Sequence, residues 1–143
     1  MKKLMTYSFA LFMLGTSISS CSKYEEGPNF ALSTKKSRLV GDWKLVKLNE
    51  NGTDANLTNY AGTASIKEDG TYTMKTTITT LGIPFSFDAD GKWEFNDDKT
   101  QVLFTETGES TSTNLVIVKL ASKELKLKEI DGTDNTISTY EPQ

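Results

Sequence analysis

Short runs of alternating apolar and polar residues, separated by turn residues, occupy the chain from Gly41 to its end. Alternation with a period of two predicts half-buried β-strands, because successive side chains of a strand point to opposite faces. The predicted strands are 42–48, 63–67, 71–80, 85–88, 91–95, 101–107, 113–120, 124–130 and 136–140. Such even spacing favours a meander in which each strand pairs with the next. The expected fold class is therefore all-β, an antiparallel up-and-down β-barrel of about eight to nine strands.

Closure of this barrel depends on the number of strands. Nine antiparallel strands cannot close evenly, because the first and the ninth would run in the same direction. Either one strand assignment is wrong or the segment 136–140 lies outside the barrel. The stretch DADG at 88–91 is faintly similar to a calcium loop, but it lacks the remaining ligand positions and the closing Glu. We predict instead that it is the turn of a hairpin.

Strand parity predicts which side chains face the interior of the barrel. In the run TYTMKTTIT at 71–79, the even-numbered side chains share the apolar face. The candidate ligand-binding residues chosen by this rule are Tyr72, Met74, Ile78, Phe85, Phe87, Trp93 and Phe95. An eight-stranded barrel is just wide enough to be filled by side chains or to hold one small ligand. The same residues would therefore form either a packed core or the wall of a cavity.

The composition excludes several chemistries. The chain has no His, one Cys and a formal net charge of −3. Without His, the usual general base and the commonest metal ligand are missing. The acidic residues lie at predicted turns rather than in a cleft, and no patch is basic enough for nucleic acid. We expect no catalytic residues, no metal, no cofactor and no nucleic-acid partner; the protein is not expected to be an enzyme.

The first twenty residues are predicted to be a targeting segment. Lys2 and Lys3 precede an uncharged, mostly apolar stretch at 4–14, which is far shorter than the ~20 apolar residues of a membrane-spanning helix. The segment ends Ile18-Ser19-Ser20-Cys21. A lone thiol in an exported chain has no disulfide partner, so another role for Cys21 is expected.

The end of this segment resembles the lipobox of bacterial lipoproteins. The resemblance implies a lipoprotein signal peptide at 1–20 and a Cys21 that carries acyl chains such as palmitate. It implies a membrane anchor at the N-terminus and a location in the cell envelope, at the outer membrane. Residues 21–36 would be a flexible tether, and Glu25 and Glu26 resemble a surface-export tag of lipoproteins in Bacteroidetes-type bacteria.

The remaining residues, 37–143, resemble the lipocalin-like domains of such lipoproteins. Gly41-Asp42-Trp43 matches the lipocalin Gly-x-Trp, and IKEDGTYTM, GKWEFNDDKTQVLF and LVIVKLASKELKLKE resemble the hairpins that follow. The resemblance implies that Trp43 plugs the closed end and that the long loop at 49–62 lies over the open end. Lipocalins also set an Arg from a late strand against this Trp. Here the only Arg, Arg38, precedes it.

Two functions follow from these observations. In the first, the barrel binds a small apolar ligand, with the inward aromatic side chains supplying contact area. In the alternative, the core is filled and the protein is a non-enzymatic surface module that contacts a protein or glycan, or inhibits a protease. Exposed aromatic residues in loops would favour the second function, and Tyr60 is the one clear candidate. A monomer is expected in either case.

Overall fold

The structure is a computed structural model, and it describes residues 33–143. The predicted signal peptide (1–20), Cys21 and most of the predicted tether (21–36) lie outside the described residues. No helix within residues 33–143 is long and apolar enough to cross a bilayer. The elements are α1 (Lys35–Leu39), β1 (Gly41–Glu50), β2 (Thr53–Asp54), β3 (Tyr60–Ile66), β4 (Thr71–Thr80), β5 (Ile83–Phe95), β6 (Gln101–Glu106), β7 (Thr113–Ala121), β8 (Glu124–Asp131) and β9 (Asp134–Pro142).

Eight strands form a closed antiparallel barrel. β3 to β9 pair in chain order, and β1 closes the ring by pairing with β3 on one side and with β9 on the other. The two-residue β2 lies outside the ring and pairs only with the end of β1. The predicted all-β up-and-down barrel is therefore confirmed, and the segment 136–140 lies inside it as part of β9.

The hairpin turn predicted at DADG is wrong. The predicted strands 85–88 and 91–95 are one continuous strand, β5, which pairs with β4 without a break from Thr71↔Lys92 to Thr80↔Ile83. The chain reverses instead at Leu81 and Gly82. This merger reduces the number of barrel strands to eight, which is why the barrel closes. Gly91 is required by space rather than by a turn, because a Cβ there would collide with the backbone carbonyl of Thr105.

One end of the barrel, where β1 begins, is closed by packed side chains. Leu39 of α1 is fully buried there and belongs to the same apolar cluster as Trp43, Ile66 and Leu120. The Trp43 indole Nε1 donates to the Leu39 carbonyl at 2.9 Å, and the Trp93 Nε1 donates to the Lys67 carbonyl at 2.8 Å. These bonds satisfy the polar atom of each buried ring, as a low-dielectric core requires.

At the opposite, open end, a ribbon formed by β4 and β5 extends past the end of β6. β6 pairs with β5 only along Gly91–Phe95, so residues 83–89 are paired to β4 alone within the described chain. Ile78, Phe85 and Phe87 have the predicted parity, but Ile78 lies at the rim, paired with Tyr60 of β3, and Phe85 and Phe87 lie past the end of β6. They are 38%, 51% and 60% exposed. The prediction that these three side chains line the interior is wrong, because parity fixes the face of a strand and not the length of the barrel.

Candidate functional site

A cavity of about 650 Å³ occupies the open half of the barrel. Its deeper wall is apolar and is formed by Leu48, Met74, Phe104, Leu115 and Leu127. Hydroxyl groups of three tyrosines and of several Thr and Ser residues stand among them. This volume lies within the ~300–1,000 Å³ range of small-molecule sites, and mixed apolar and polar walls are typical of them.

A β-bulge directs part of β1 into this cavity. The pairing of β1 with β9 shifts register between Leu45 and Lys47. Before the bulge, Trp43 and Leu45 face the core; after it, Leu48 and Glu50 face the cavity. A bulge adds one residue to one strand and so changes which side chains point inward. The bulge therefore separates the packed half of β1 from its cavity-lining half.

The tyrosines place ring faces and hydroxyls in the wall. Tyr72 and Phe104 make an edge-to-face contact with ring centroids 4.9 Å apart. Burial raises the pKa of the Tyr72 phenol, and the negative charges of Glu106 and Asp90 raise it further. Burial also raises the pKa of Tyr140, although a hydrogen bond with Ser138 acts in the opposite direction. Both phenols therefore stay neutral in this site and can act as hydrogen-bond donors.

The structure divides the seven predicted site residues into three groups. Tyr72 and Met74 line the cavity. Trp93 and Phe95 belong to the closed-end core, where their rings make an edge-to-face pair at 5.6 Å. Ile78, Phe85 and Phe87 lie on the exposed ribbon. Parity alone thus brought together two residues of the cavity, and the binding role of all seven stays a prediction.

Sequence reasoning missed the residues that give the cavity its polar character. On three strands that run toward the open end, the last residue that lines the cavity is a glutamate: Glu50, Glu106 and Glu129. Each follows an inward apolar residue by two positions, as Leu48-x-Glu50, Phe104-x-Glu106 and Leu127-x-Glu129. This recurring pattern of an apolar residue, any residue and Glu was the available signal.

Two further sequence expectations concern the opening. Tyr60 begins β3 and lines the cavity, so it is not a free aromatic residue of a loop. Residues 51–59 of the long loop do not line the cavity, because β2 folds back beside the end of β1 through Asn49↔Asp54. Within residues 33–143, no group of three or more His, Cys, Asp or Glu side chains is arranged to hold a metal ion.

Comparisons with known proteins find one matching family model and several similar solved structures. The family model described as "Lipocalin-like domain" matches residues 39–127. Among solved structures, a bovine lipocalin allergen, Bos d 2, is similar with 10% identity and a TM-score of 0.49, covering 77% of this chain and 76% of that one. Bovine odorant-binding protein in complex with its natural ligand is similar with 12% identity and a TM-score of 0.48, covering 80% and 77%.

A search of curated proteins finds no match. The family model spans well over half of the chain, from the buried Leu39 through six barrel strands to Leu127 in the seventh. The chain belongs to the lipocalin-like domain family.

Proposed function

We propose that the barrel binds a small, largely apolar molecule in the open-end cavity. The observation that supports this proposal is the unfilled volume of about 650 Å³ between Tyr72, Phe104 and Leu127. A molecule placed there would bury its apolar body against aromatic and aliphatic side chains, while tyrosine and threonine hydroxyls could orient its polar group. The protein would act by binding and not by catalysis.

Binding of Nile red, a neutral dye whose emission rises in apolar surroundings, tests this proposal. The protein used in this experiment carries Cys21→Ala, which removes the expected site of acylation, so that it can be studied without detergent. Ser138→Trp should fill the cavity and weaken dye binding at least tenfold, because Ser138 lies in its wall. Thr139→Trp is the matched control, since the adjacent side chain of β9 points to the outer face. Equal binding by both variants would mean that the dye binds elsewhere, and the proposal would fail.

We further propose that the protein is a cell-envelope lipoprotein anchored to the outer membrane through acylated Cys21. The support is the sequence Ile18-Ser19-Ser20-Cys21 behind a short apolar stretch. Two or more acyl chains on one residue are enough for stable anchoring. Cys21→Ala should release the protein from the membrane fraction, and intact-mass analysis of the wild type should show the added chains. A Cys21→Ala protein that stays membrane-bound at the wild-type level would contradict the proposal.

A second candidate function, contact with another protein, is favoured by the exposed ribbon. Leu81 is 97% exposed at its tip, and Ile83, Phe85 and Phe87 are each at least half exposed. Pro84 lies on the edge of β5 that has no described partner strand, and its missing N–H discourages addition of a further strand there. Contact would therefore use the apolar face of the ribbon rather than its edge.

The simplest partner for such a face is a second copy of the chain. Sedimentation of the Cys21→Ala protein at rising concentration tests this. Self-contact predicts a dimer that Phe87→Ser abolishes and that Ser86→Ala, on the opposite face, leaves intact. A wild-type ribbon that sediments as a monomer throughout would rule out this partner.

A further inference from the structure

The mouth of the cavity is acidic. Glu50, Glu106 and Glu129 end the inward rows of three strands, and Glu109 adds a fourth carboxylate from the loop between β6 and β7. The three strand glutamates each lie two residues nearer the open end than an apolar or aromatic wall residue of the same strand. The wall therefore changes from hydrocarbon in the middle of the barrel to carboxylate at its opening, within one cavity.

No basic side chain within residues 33–143 forms a salt bridge with these carboxylates. Among the described residues that line the cavity there is no lysine or arginine. Like charges gathered at a cleft with low-dielectric walls focus a negative potential into it. The cavity thus attracts cations and repels anions.

Tyr72 provides an independent indication of a polar ligand. Its side chain is only 4% exposed, and no hydrogen bond from residues 33–143 reaches its hydroxyl. No fully buried polar side-chain atom in this part of the chain lacks a partner, so the Tyr72 hydroxyl must open into the cavity. A neutral phenol that points into a cavity has its hydrogen-bonding capacity free for a bound molecule.

Aromatic rings stand directly below the carboxylates. Phe104 lies two residues before Glu106 on the same face of β6, and Tyr60 and Tyr140 line the same cavity. Ring faces attract ammonium groups within about 6 Å, and the attraction strengthens when water is excluded. Aromatic rings and carboxylates in one wall form a set that suits an organic cation.

We propose that the ligand of this cavity is an amphiphilic cation, an amine or quaternary ammonium compound with an apolar body. The body would pack against Met74, Phe104 and Leu115, and the cationic group would lie at the mouth near Glu106 and Glu129. Fatty acids and other anionic amphiphiles would be rejected by the same carboxylates. This inference rests on the proposed function of the cavity and names the class of molecule that it binds.

Three ten-carbon probes test the inference. Decylamine, decanol and decanoate carry a cationic, a neutral and an anionic head group, and each is titrated calorimetrically, below its micelle-forming concentration or its solubility limit, into the Cys21→Ala protein. We expect decylamine to bind at least tenfold more tightly than decanol, and decanoate to bind most weakly. The preference for decylamine should shrink at high salt, because the mouth is partly solvated.

Paired variants locate the effect. The double variant Glu106→Gln, Glu129→Gln should lower decylamine affinity at least tenfold while leaving decanol affinity within twofold. Glu94→Gln, on the outward side of β5, is the matched control and should change neither affinity. Tyr72→Phe should weaken binding of both decylamine and decanol, because both head groups can use its hydroxyl.

The outcomes separate this inference from the proposed function. Equal binding of the three probes, all blocked by Ser138→Trp, would keep the cavity as a binding site and overturn the charge preference. Failure of all three probes to bind would overturn both proposals. Decylamine binding that survives Ser138→Trp would show adsorption to the acidic surface, which also overturns the inference.

Discussion

The two ends of this barrel are built from the same eight strands but serve opposite physical requirements. At the closed end, α1 covers the core, both tryptophans bond to backbone carbonyls, and Leu39 and Leu120 are completely buried. At the open end, a cavity of about 650 Å³ remains, and the β4–β5 ribbon leaves large apolar side chains in solvent. The apolar side chains of the closed end are buried against one another, whereas several of those at the open end are exposed or line the cavity.

This difference indicates that the closed-end part of the strands stabilises the fold, whereas the open-end part forms the cavity and the exposed ribbon. Burial of apolar surface contributes roughly 25 cal/mol per Å², so the closed end provides most of the stability of the fold. Positions that stay exposed or line an empty space contribute little to stability. Substitutions at the two ends should therefore have very different effects on the free energy of unfolding.

The largest effect is expected at Trp43. Truncation by Trp43→Ala removes a ring that is 3% exposed and leaves the Leu39 carbonyl without its donor. We expect the free energy of unfolding to fall by about 3–5 kcal/mol, as for other buried aromatic truncations. Phe87→Ala at the open end should change it by less than ~0.5 kcal/mol. Urea denaturation followed by circular dichroism measures both; similar midpoints for the two variants would refute the contrast.

Gly91 marks the point where β5 leaves the barrel, and it should be the next most sensitive position. An added Cβ would collide with the Thr105 backbone, which cannot move aside as a side-chain tip could. We expect Gly91→Ala to destabilise the fold by about 1–3 kcal/mol, as overpacking does. Gly62→Ala is a milder comparison, because its Cβ would meet only the Leu45 side chain, at 3.3 Å. Urea midpoints measure both, and equal losses would contradict a backbone collision at Gly91.

The sequence predicted the class of fold because alternation is a local signal that survives in every strand. It failed at 88–91, where Asp-Ala-Asp-Gly has the composition of a turn. In the structure these four residues are part of β5, because β4 pairs with β5 along the whole length of β4. The close approach of the Thr105 backbone explains why a glycine stands at position 91. Thr105 belongs to a strand ten or more residues away, so the sequence around Gly91 gives no indication of this contact.

The sequence predicted only some of the residues that line the cavity, for a related reason. Parity found Tyr72 and Met74, but it could not tell where the ring of strands ends, and so it placed Phe85 and Phe87 inside. It also could not anticipate the bulge between Leu45 and Lys47, which brings Glu50 to the interior. Such shifts depend on how neighbouring strands are paired and not on the residues of one strand alone.

Leu81 should show a smaller effect, and one of opposite sign. It has φ of 53° and is followed by Gly82 with φ of 79°, so a bulky residue occupies a left-handed position in a two-residue turn. Asn-Gly is the preferred pair for such turns. We expect Leu81→Asn to raise the free energy of unfolding by about 0.5–1 kcal/mol, by relief of backbone strain. Leu81→Ala keeps the strain and should show no gain. Thermal denaturation measures both, and a loss with Asn would mean that the Leu81 side chain has a stabilising contact.

The smallest difference concerns two glutamates at opposite ends of the barrel. Glu124, the first residue of β8 at the closed end, lies 3.0 Å from the Lys119 ammonium and 3.5 Å from that of Lys126. The hydrogen bond from Lys119 is the main cause of the lowered pKa of Glu124. Because the folded-state pKa is depressed, this contribution to stability is present above the unfolded pKa, near 4.5, and is lost as pH falls through the folded value.

We therefore expect Glu124→Gln to reduce the free energy of unfolding by about 0.5 kcal/mol at neutral pH, the size usual for partly exposed pairs. The difference from wild type should vanish as the pH falls below the folded-state pKa. Glu106→Gln at the cavity mouth should cause no loss, since it has no basic partner within residues 33–143 and stands near other carboxylates. Urea titrations of both variants at neutral and acidic pH measure this. A loss at Glu106 equal to that at Glu124 would mean that the open-end carboxylates stabilise the fold, and the reason for assigning them to a ligand would disappear.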